Sequence, residues 1–388
     1  MKSSLIVQLF LWGAATVSAS PVHNSIYKKP LYKRLKLVDL AQFGEGFHTI
    51  TLEEAKANAA KNNAEHAGLL SGITGSNSKA ANTVVHNTAA STDSGNNATA
   101  VKAAAAGNCT SPATRVEWRS LSDADKLAFV GAIKCLMNLP PSGAYSSAGS
   151  TSRYEDLVAV HSIMTDSIHM VAQFLPWHRY YVHVFESMLR DECSYAGPMT
   201  WWNEPLDAGH FSTSPVFGAD TFGSAPLKTS DNQGTCIDDG AFSNLTLHIG
   251  GERCLSRAVD ETATTQCSTD FVNSCNSNNK YSDMESCSEF GPHGYGHNGI
   301  GAVMSFVSIS PGDPVFFMHH GFVDHSYVLW QNADLTNRLN QVNGCTDSAC
   351  SSQLTADYVL SSQGLRPEVK VSDVLDTQGG YLCYVYDS

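Results

Sequence analysis

Eight of the fifteen histidines stand in three groups: His161, His169 and His178; His293 and His297; and His319, His320 and His325 within PGDPVFFMHHGFVDHSYVLWQ, residues 311–331. In an apolar setting each ring nitrogen of an imidazole needs a partner, and clustered imidazoles are costly unless something binds them. A metal ion is the partner that several imidazoles can share. His293 and His297 are one helical turn apart, a spacing that brings two rings to one ion. With His320 on a following helix they make a second set of three beside His161, His169 and His178. Ligation by imidazole alone, without thiolate or carboxylate, suits copper and is also accepted by zinc. A zinc protease of the HExxH type is disfavoured, because Gly294 stands where the glutamate would be.

These side chains need rigid elements to position them. PWHRYYVHVFESMLRDEC places Trp177, Tyr181, Val184, Phe185 and Met188 on one helical stripe. SLSDADKLAFVGAIKCLMNLPP has Ser122 three positions before Asp125, as in a capping box, and ends at Pro140-Pro141. GYGHNGIGAVMSFVS and DPVFFMHHGFVDHSYVLWQNA supply two more helical patterns, while residues 203–290 read as Gly-, Ser-, Asn- and Cys-rich loops. The expected fold is mainly α: a four-helix-bundle core holding the metal centre, with long disulfide-tied loops and little β structure. Within PGDPVFFMHHGFVDHSYVLWQ, adjacent His319 and His320 point about 100° apart on a helix, so only one faces the metal. Phe316, His320 and Asp324 share a face at four-residue spacing, which leaves His319 as a packing neighbour and His325 without a role.

The 388-residue chain is 42% hydrophobic and 16% charged, an ordinary globular composition. Its net charge of -13 argues against nucleic acid or anionic lipid as a partner. MKSSLIVQLFLWGAATVSAS, residues 1–20, has the pattern of a secretory signal and is too short to span a bilayer; no later segment qualifies as a membrane span either. Secretion would make most of the 11 cysteines disulfide-bonded, and the odd count leaves at least one unpaired within a monomer. Asn97, Asn108 and Asn244 begin glycosylation sequons. Residues 21–106 contain a low-complexity connector and a short helix near residues 51–67 with little apolar surface to dock. They read as a leader or pro-region, or as a flexible extension that is never cut, followed by a catalytic domain over residues 107–388.

HMVAQFLPWHRYYVHVFE (His169–Glu186) and DPVFFMHHGFVD (Asp313–Asp324) resemble the two copper signatures of the tyrosinase family at their full spacing. CIDDGAFSNLTLHIG and EFGPHGYGHNGIG further resemble the short secreted fungal tyrosinases and catechol oxidases. The resemblance covers about residues 109–388. It implies two copper ions, one on His161, His169 and His178 and the other on His293, His297 and His320, with dioxygen as co-substrate. The implied reaction is oxidation of o-diphenols to o-quinones, with monophenols or o-aminophenols as further substrates of the same small phenolic class. A dioxygen carrier with the same copper pair and no catalysis is the alternative.

The resemblance also assigns supporting residues. Glu289 matches a carboxylate that holds a water near the site, and the bland alternative is a carboxylate favouring a helix N-terminus. Val307 matches a position overhanging the second copper, and Phe316 either walls the pocket or packs the core. A buried Arg179 needs an anion, and Asp324, one turn beyond His320, is the nearest candidate, so an Arg179–Asp324 pair is expected to tie two copper helices together. Three positions depart from the family pattern. Ser167 replaces the cysteine that in some relatives bonds to a ligand histidine; Gly294 stands where monophenol-hydroxylating members often have Asn; and His325 replaces a basic Arg or Lys. Tyr384-x-Tyr386 resembles the tyrosine motif that closes the catalytic core. With the chain ending at Ser388, no C-terminal lid domain is expected, and shielding by the N-terminal segment is open.

Overall fold

A computed structural model describes residues 36–74 and 109–388; the signal pattern of residues 1–20 and the sequons at Asn97 and Asn108 lie outside them. The architecture is mainly helical with a few short strands. Helix α1 (Leu52–Thr74) precedes α2 (Asp123–Asn138), α3 (Arg153–Ile168) and α4 (Phe174–Cys193). Four short helices follow, α5 (Glu261–Thr264), α6 (Thr269–Asn276), α7 (Tyr281–Ser288) and α8 (Gly294–Ile300), and then the long α9 (Phe316–Asn332).

Local chemistry explains the helix starts. Ser122 caps α2, its Oγ accepting from the Asp125 amide at 3.1 Å, and Ser152 caps α3 in the same way from Glu155. Both helices carry acids in the first turn, where they offset the helix dipole. Helix α4 tolerates Pro176 because it sits in the first turn, where its missing N–H has no intrahelical partner to lose. The pattern GYGHNGIGAVMSFVS does not run as one helix. Gly301, at φ 72°, stops α8, and a Cβ there would lie 2.5 Å from the Ala258 carbonyl. The chain continues in two 3-10 turns, Ala302–Ser305 and Val307–Gly312.

Helix α4 is the centre of the molecule. It packs on α2, α3 and α9, and its stripe of Trp177, Tyr181, Val184, Phe185 and Met188 is buried. Phe185 stacks on Phe317 of α9 with ring centroids 3.7 Å apart. Helix α3 was not anticipated as an element. Residues Tyr154 to His161 of this helix are all buried, so the segment shows no polar face for a periodicity argument to find.

Five disulfides tie the loop-rich shell: Cys109–Cys383, Cys135–Cys193, Cys236–Cys254, Cys275–Cys287 and Cys345–Cys350. Cys267 is the free, buried thiol that the odd count requires. Asn244 is exposed, as a sequon must be to carry glycan. Strand Tyr384–Tyr386 runs parallel to Ala113–Glu117, which also pairs with Thr200–Trp201, so the far end of the chain closes against the start of the domain.

The N-terminal segment departs from the expectation of a helix with little to dock. Strand Leu37–Asp39 pairs antiparallel with Gln233–Cys236. Phe43 is buried among Leu247, Ala258, Ala302 and Val303, and α1 seats Ala55 against Phe271, Cys275 and Cys287, with Ala59 also buried. Alanines let the helix backbone approach closely, so contact is made without large apolar side chains.

Candidate metal centre

The six histidines singled out in the sequence come together in two adjacent groups. His161 lies in α3, His169 immediately after its end, and His178 in the second turn of α4. His293 closes a π turn over Glu289–His293, His297 lies in α8, and His320 in α9. The wide turn follows from Gly291, whose backbone is non-helical, and Pro292, which cannot donate to the helical ladder. In the first group ring centroids are 5.0–5.7 Å apart, and in the second 4.7–5.5 Å. His178 stacks on His320 at 4.4 Å and joins the two groups.

Backbone carbonyls decide which nitrogen each ring presents. Nδ1 donates to the carbonyl of Ser308 from His161 (3.1 Å), Thr165 from His169 (3.0 Å) and Phe174 from His178 (2.9 Å). In the second group Nδ1 donates to Glu289 from His293 (3.0 Å) and to Met304 from His297 (2.8 Å). A carbonyl only accepts, so each Nδ1 carries the proton and each Nε2 is left with a lone pair. Nε2 of His161, His169, His178 and His293 is buried with no hydrogen-bond partner. Nε2 of His297 faces Nε2 of His320 at 3.3 Å. Burial pushes His169 down to about 4 and the other five well below the ordinary histidine range, so all six are neutral at pH 7. Orphaned buried lone pairs on neutral, backbone-anchored rings are what two metal ions with imidazole ligands require.

His319 differs from its reading as a packing neighbour. One of its nitrogens lies with those of His293, His297 and His320 in a group within 4.8 Å. Its Nδ1 is committed to Glu204 Oε1 at 2.6 Å, and both side chains are fully buried. Burial pushes the Glu204 carboxyl up, and the imidazole offsets this. His325, at the next helical position after Asp324, packs on Trp201 with ring centroids 4.2 Å apart and meets the Ser388 carbonyl through Nε2 at 2.7 Å.

Arg179 and Asp324 do pair, Nε to Oδ1 at 2.5 Å, both fully buried. The sequence did not point to the remainder of this network. Arg115 Nη1 donates to Asp324 Oδ2 at 3.1 Å and Nη2 to Glu186 at 3.1 Å, and the hydroxyls of Tyr384 and Tyr386 both donate to Asp324. Arg179 also donates to the carbonyls of Val374 and Leu375 and to Gln331 Oε1. Burial raises the Asp324 carboxyl, but Arg179 and Arg115 outweigh it and hold the group below the usual carboxylate range.

Glu289 is buried, with Oε1 accepting from the Met170 amide at 2.7 Å. Burial pushes its carboxyl and that of neighbouring Glu285 up. Phe316 is fully buried and meets rings of both groups, His161 at 5.3 Å, His320 at 4.1 Å and His297 at 5.7 Å. Val307 is half-buried, next to the Ser308 carbonyl that orients His161.

Among known proteins, residues 151–333 match the family model described as the common central domain of tyrosinase. A tyrosinase-like protein of Diaporthe leptostromiformis is 34% identical over 319 residues, covering 72% of this chain and 81% of its own length. An N-acetyl-6-hydroxytryptophan oxidase of Emericella nidulans is 29% identical over 350 residues, covering 72% of this chain and 93% of its own length. In three dimensions the chain is similar to a variant polyphenol oxidase from Thermothelomyces thermophila, with TM-score 0.64 and 26% identity over 71% of this chain and 89% of that one. A functional unit of octopus hemocyanin shares the fold at TM-score 0.50 and 17% identity, covering 71% of this chain and 68% of that one.

Proposed function

Because the chain belongs to the tyrosinase family, we propose that it is a secreted dicopper oxidase that uses dioxygen to convert o-diphenols to o-quinones. Monophenols and o-aminophenols are further candidate substrates. The observation that carries this reading is the pair of buried imidazole sets, five of the six rings anchored through Nδ1 to backbone carbonyls and every Nε2 free or facing its neighbour. His161, His169 and His178 would hold one copper and His293, His297 and His320 the other. Such a pair supplies two electrons together to dioxygen and takes two from the phenol, which single-electron steps do only at high cost.

The chain's own residues would do the rest. Arg179 and Asp324 fix α4 against α9 and so set His178 relative to His320. Phe316 packs on rings of both histidine sets and would wall the pocket. Glu289, four residues before His293 and buried beside Glu285, would in its ionised form accept the proton of an incoming phenol directly or through water. Val307 would narrow the approach to the second copper. Gly294 offers no side chain to steady a water on Glu289, which favours diphenols over monophenols.

The five disulfides and the signal pattern of residues 1–20 support secretion, and residues 21–106 fit a leader or pro-region. Among the described residues no helix is long and apolar enough to cross a membrane. The test is to reconstitute with copper, measure copper per chain, and add catechol, tyrosine and a 6-hydroxyindole amino acid in air. Quinone absorbance from catechol at two coppers per chain supports the reading. Reversible oxygen binding without quinone would make the protein a carrier instead.

A further inference from the structure

We propose that the segment around Phe47 is an intramolecular plug: its ring occupies the position of the substrate ring over the metal centre, and phenols enter only when it withdraws. The idea rests on the dicopper reading above. Phe47 stacks on His297 with centroids 4.1 Å apart and planes 19° from parallel. Its edges meet His293 at 5.1 Å and His169 at 6.0 Å. One ring thus touches imidazoles of both sets. An aromatic substrate giving electrons to metal ions on both sets would lie across the same imidazoles.

The contact is built into the chain on both sides. Asn298, the residue after His297, grips the Phe47 backbone twice: its Oδ1 accepts from the Phe47 amide at 2.9 Å and its Nδ2 donates to the Phe47 carbonyl at 2.7 Å. Gly46 makes this grip possible. It sits at φ 78°, and a Cβ there would lie 2.6 Å from Asn298 Oδ1. Three residues beyond, the Ile50 amide donates to the Phe290 carbonyl at 2.8 Å, beside Glu289. Gly294 completes the seat: a Cβ on it would meet Thr49 at 3.0 Å and the His48 carbonyl at 3.1 Å. The missing side chain at that departure from the family pattern is therefore where the plug's backbone lies.

The plug is held at both ends by contacts of modest size. Upstream are a three-residue strand and Phe43; downstream are the alanines of α1. Phe47 itself is only half-buried and fills no core. A hydrophobic residue whose purpose was packing would find little to pack on here, since its ring neighbours are the imidazoles of His297, His293 and His169. Short anchors of this kind belong to the part of a fold that opens locally at low cost.

The test compares copper-loaded full-length protein with two variants that act differently, Phe47→Ala, which removes the ring, and Gly46→Val, which breaks the Asn298 grip. The probe is 4-nitrocatechol, titrated without oxygen and followed by its absorbance shift. A plug closed about nine-tenths of the time weakens apparent affinity about tenfold, so both variants should bind the probe roughly ten times more tightly at unchanged copper content. Hydrogen exchange at residues 46–50 should rise in Gly46→Val. Probe affinity unchanged or weakened in both variants would overturn the proposal. If the variants bind more tightly but no form of the protein makes quinone, the plug stands and the oxidase reading falls. If all three oxidise catechol equally and bind the probe equally, the oxidase reading stands and the plug falls.

Discussion

Replacing Asp324 with Asn preserves its shape and removes one buried charge. Asp324 accepts from Arg179, Arg115, Tyr384 and Tyr386 and is 3% exposed. The size of the effect depends on what its two cations keep. Arg115 retains Glu186 at 3.1 Å, whereas Arg179 is left with neutral acceptors only, Val374, Leu375 and Gln331. One uncompensated buried charge results, not two, and breaking one such pair costs about 3–5 kcal/mol. At roughly 2–4 °C per kcal/mol, that lowers the melting temperature by about 6–20 °C. The carboxyl is held below its ordinary value in the fold. Its contribution is therefore fully present above the unfolded value of about 3.9 and is lost as pH falls through the lower folded value. The gap between wild type and Asp324→Asn should be complete at pH 6–7 and close below about pH 4. Thermal unfolding followed by circular dichroism at one scan rate, on metal-free protein, measures this. Copper binding should weaken in parallel, because Asp324 sits one turn beyond His320. A melting temperature within about 2 °C of wild type at pH 7, or a gap that persists unchanged at pH 3, would refute the reasoning.

Three further outcomes follow from the same geometry. His320→Gln should lower bound copper by one ion per chain, while His319→Gln, whose Nδ1 is engaged with Glu204, should leave two; metal analysis after dialysis decides between them. Arg257 bonds both oxygens of Asp313 at 2.8 and 3.0 Å, with both side chains fully buried. Arg257→Gln should therefore cost about 3–5 kcal/mol, and Arg257→Met with Asp313→Asn should recover much of it, as a double-mutant cycle will read. Replacing Cys109 and Cys383 by Ser opens a loop of 274 residues. Denaturant unfolding should show a loss of about 5 kcal/mol on the chain-entropy model.

Much of the site was legible because its signals are local. The His293–His297 spacing and the phase of Phe316, His320 and Asp324 follow from helical geometry alone. Arg179 and Asp324 could be paired because each adjoins a ligand position in an apolar helix. Arg115 was not legible: its partners lie 71, 209 and 271 residues away, and nothing in ATRVE marks it as buried. The same holds for His319, whose partner Glu204 comes from a stretch read as loop. Helix α3 was missed because it is covered on several sides, and Phe47 because it stands at the edge of a low-complexity region that offers no periodicity. Pairings across long separations leave no trace in one sequence.

The parallel pairing of Tyr384–Tyr386 with Ala113–Glu117 bears on how the protein is made. On the ribosome, α4 and α9 emerge long before the tyrosines that satisfy Asp324 and the cysteine that joins Cys109. Until then Arg115 and Arg179 would be left with an incompletely bonded carboxylate between them, in a contact of high sequence separation that forms slowly. A nascent chain carrying all six ligand histidines thus still lacks the tyrosine hydroxyls and the disulfide that complete the network around Asp324. Metal loading should therefore follow the docking of Tyr384–Tyr386, and an arrested chain ending before residue 380 should bind copper weakly although every ligand is present.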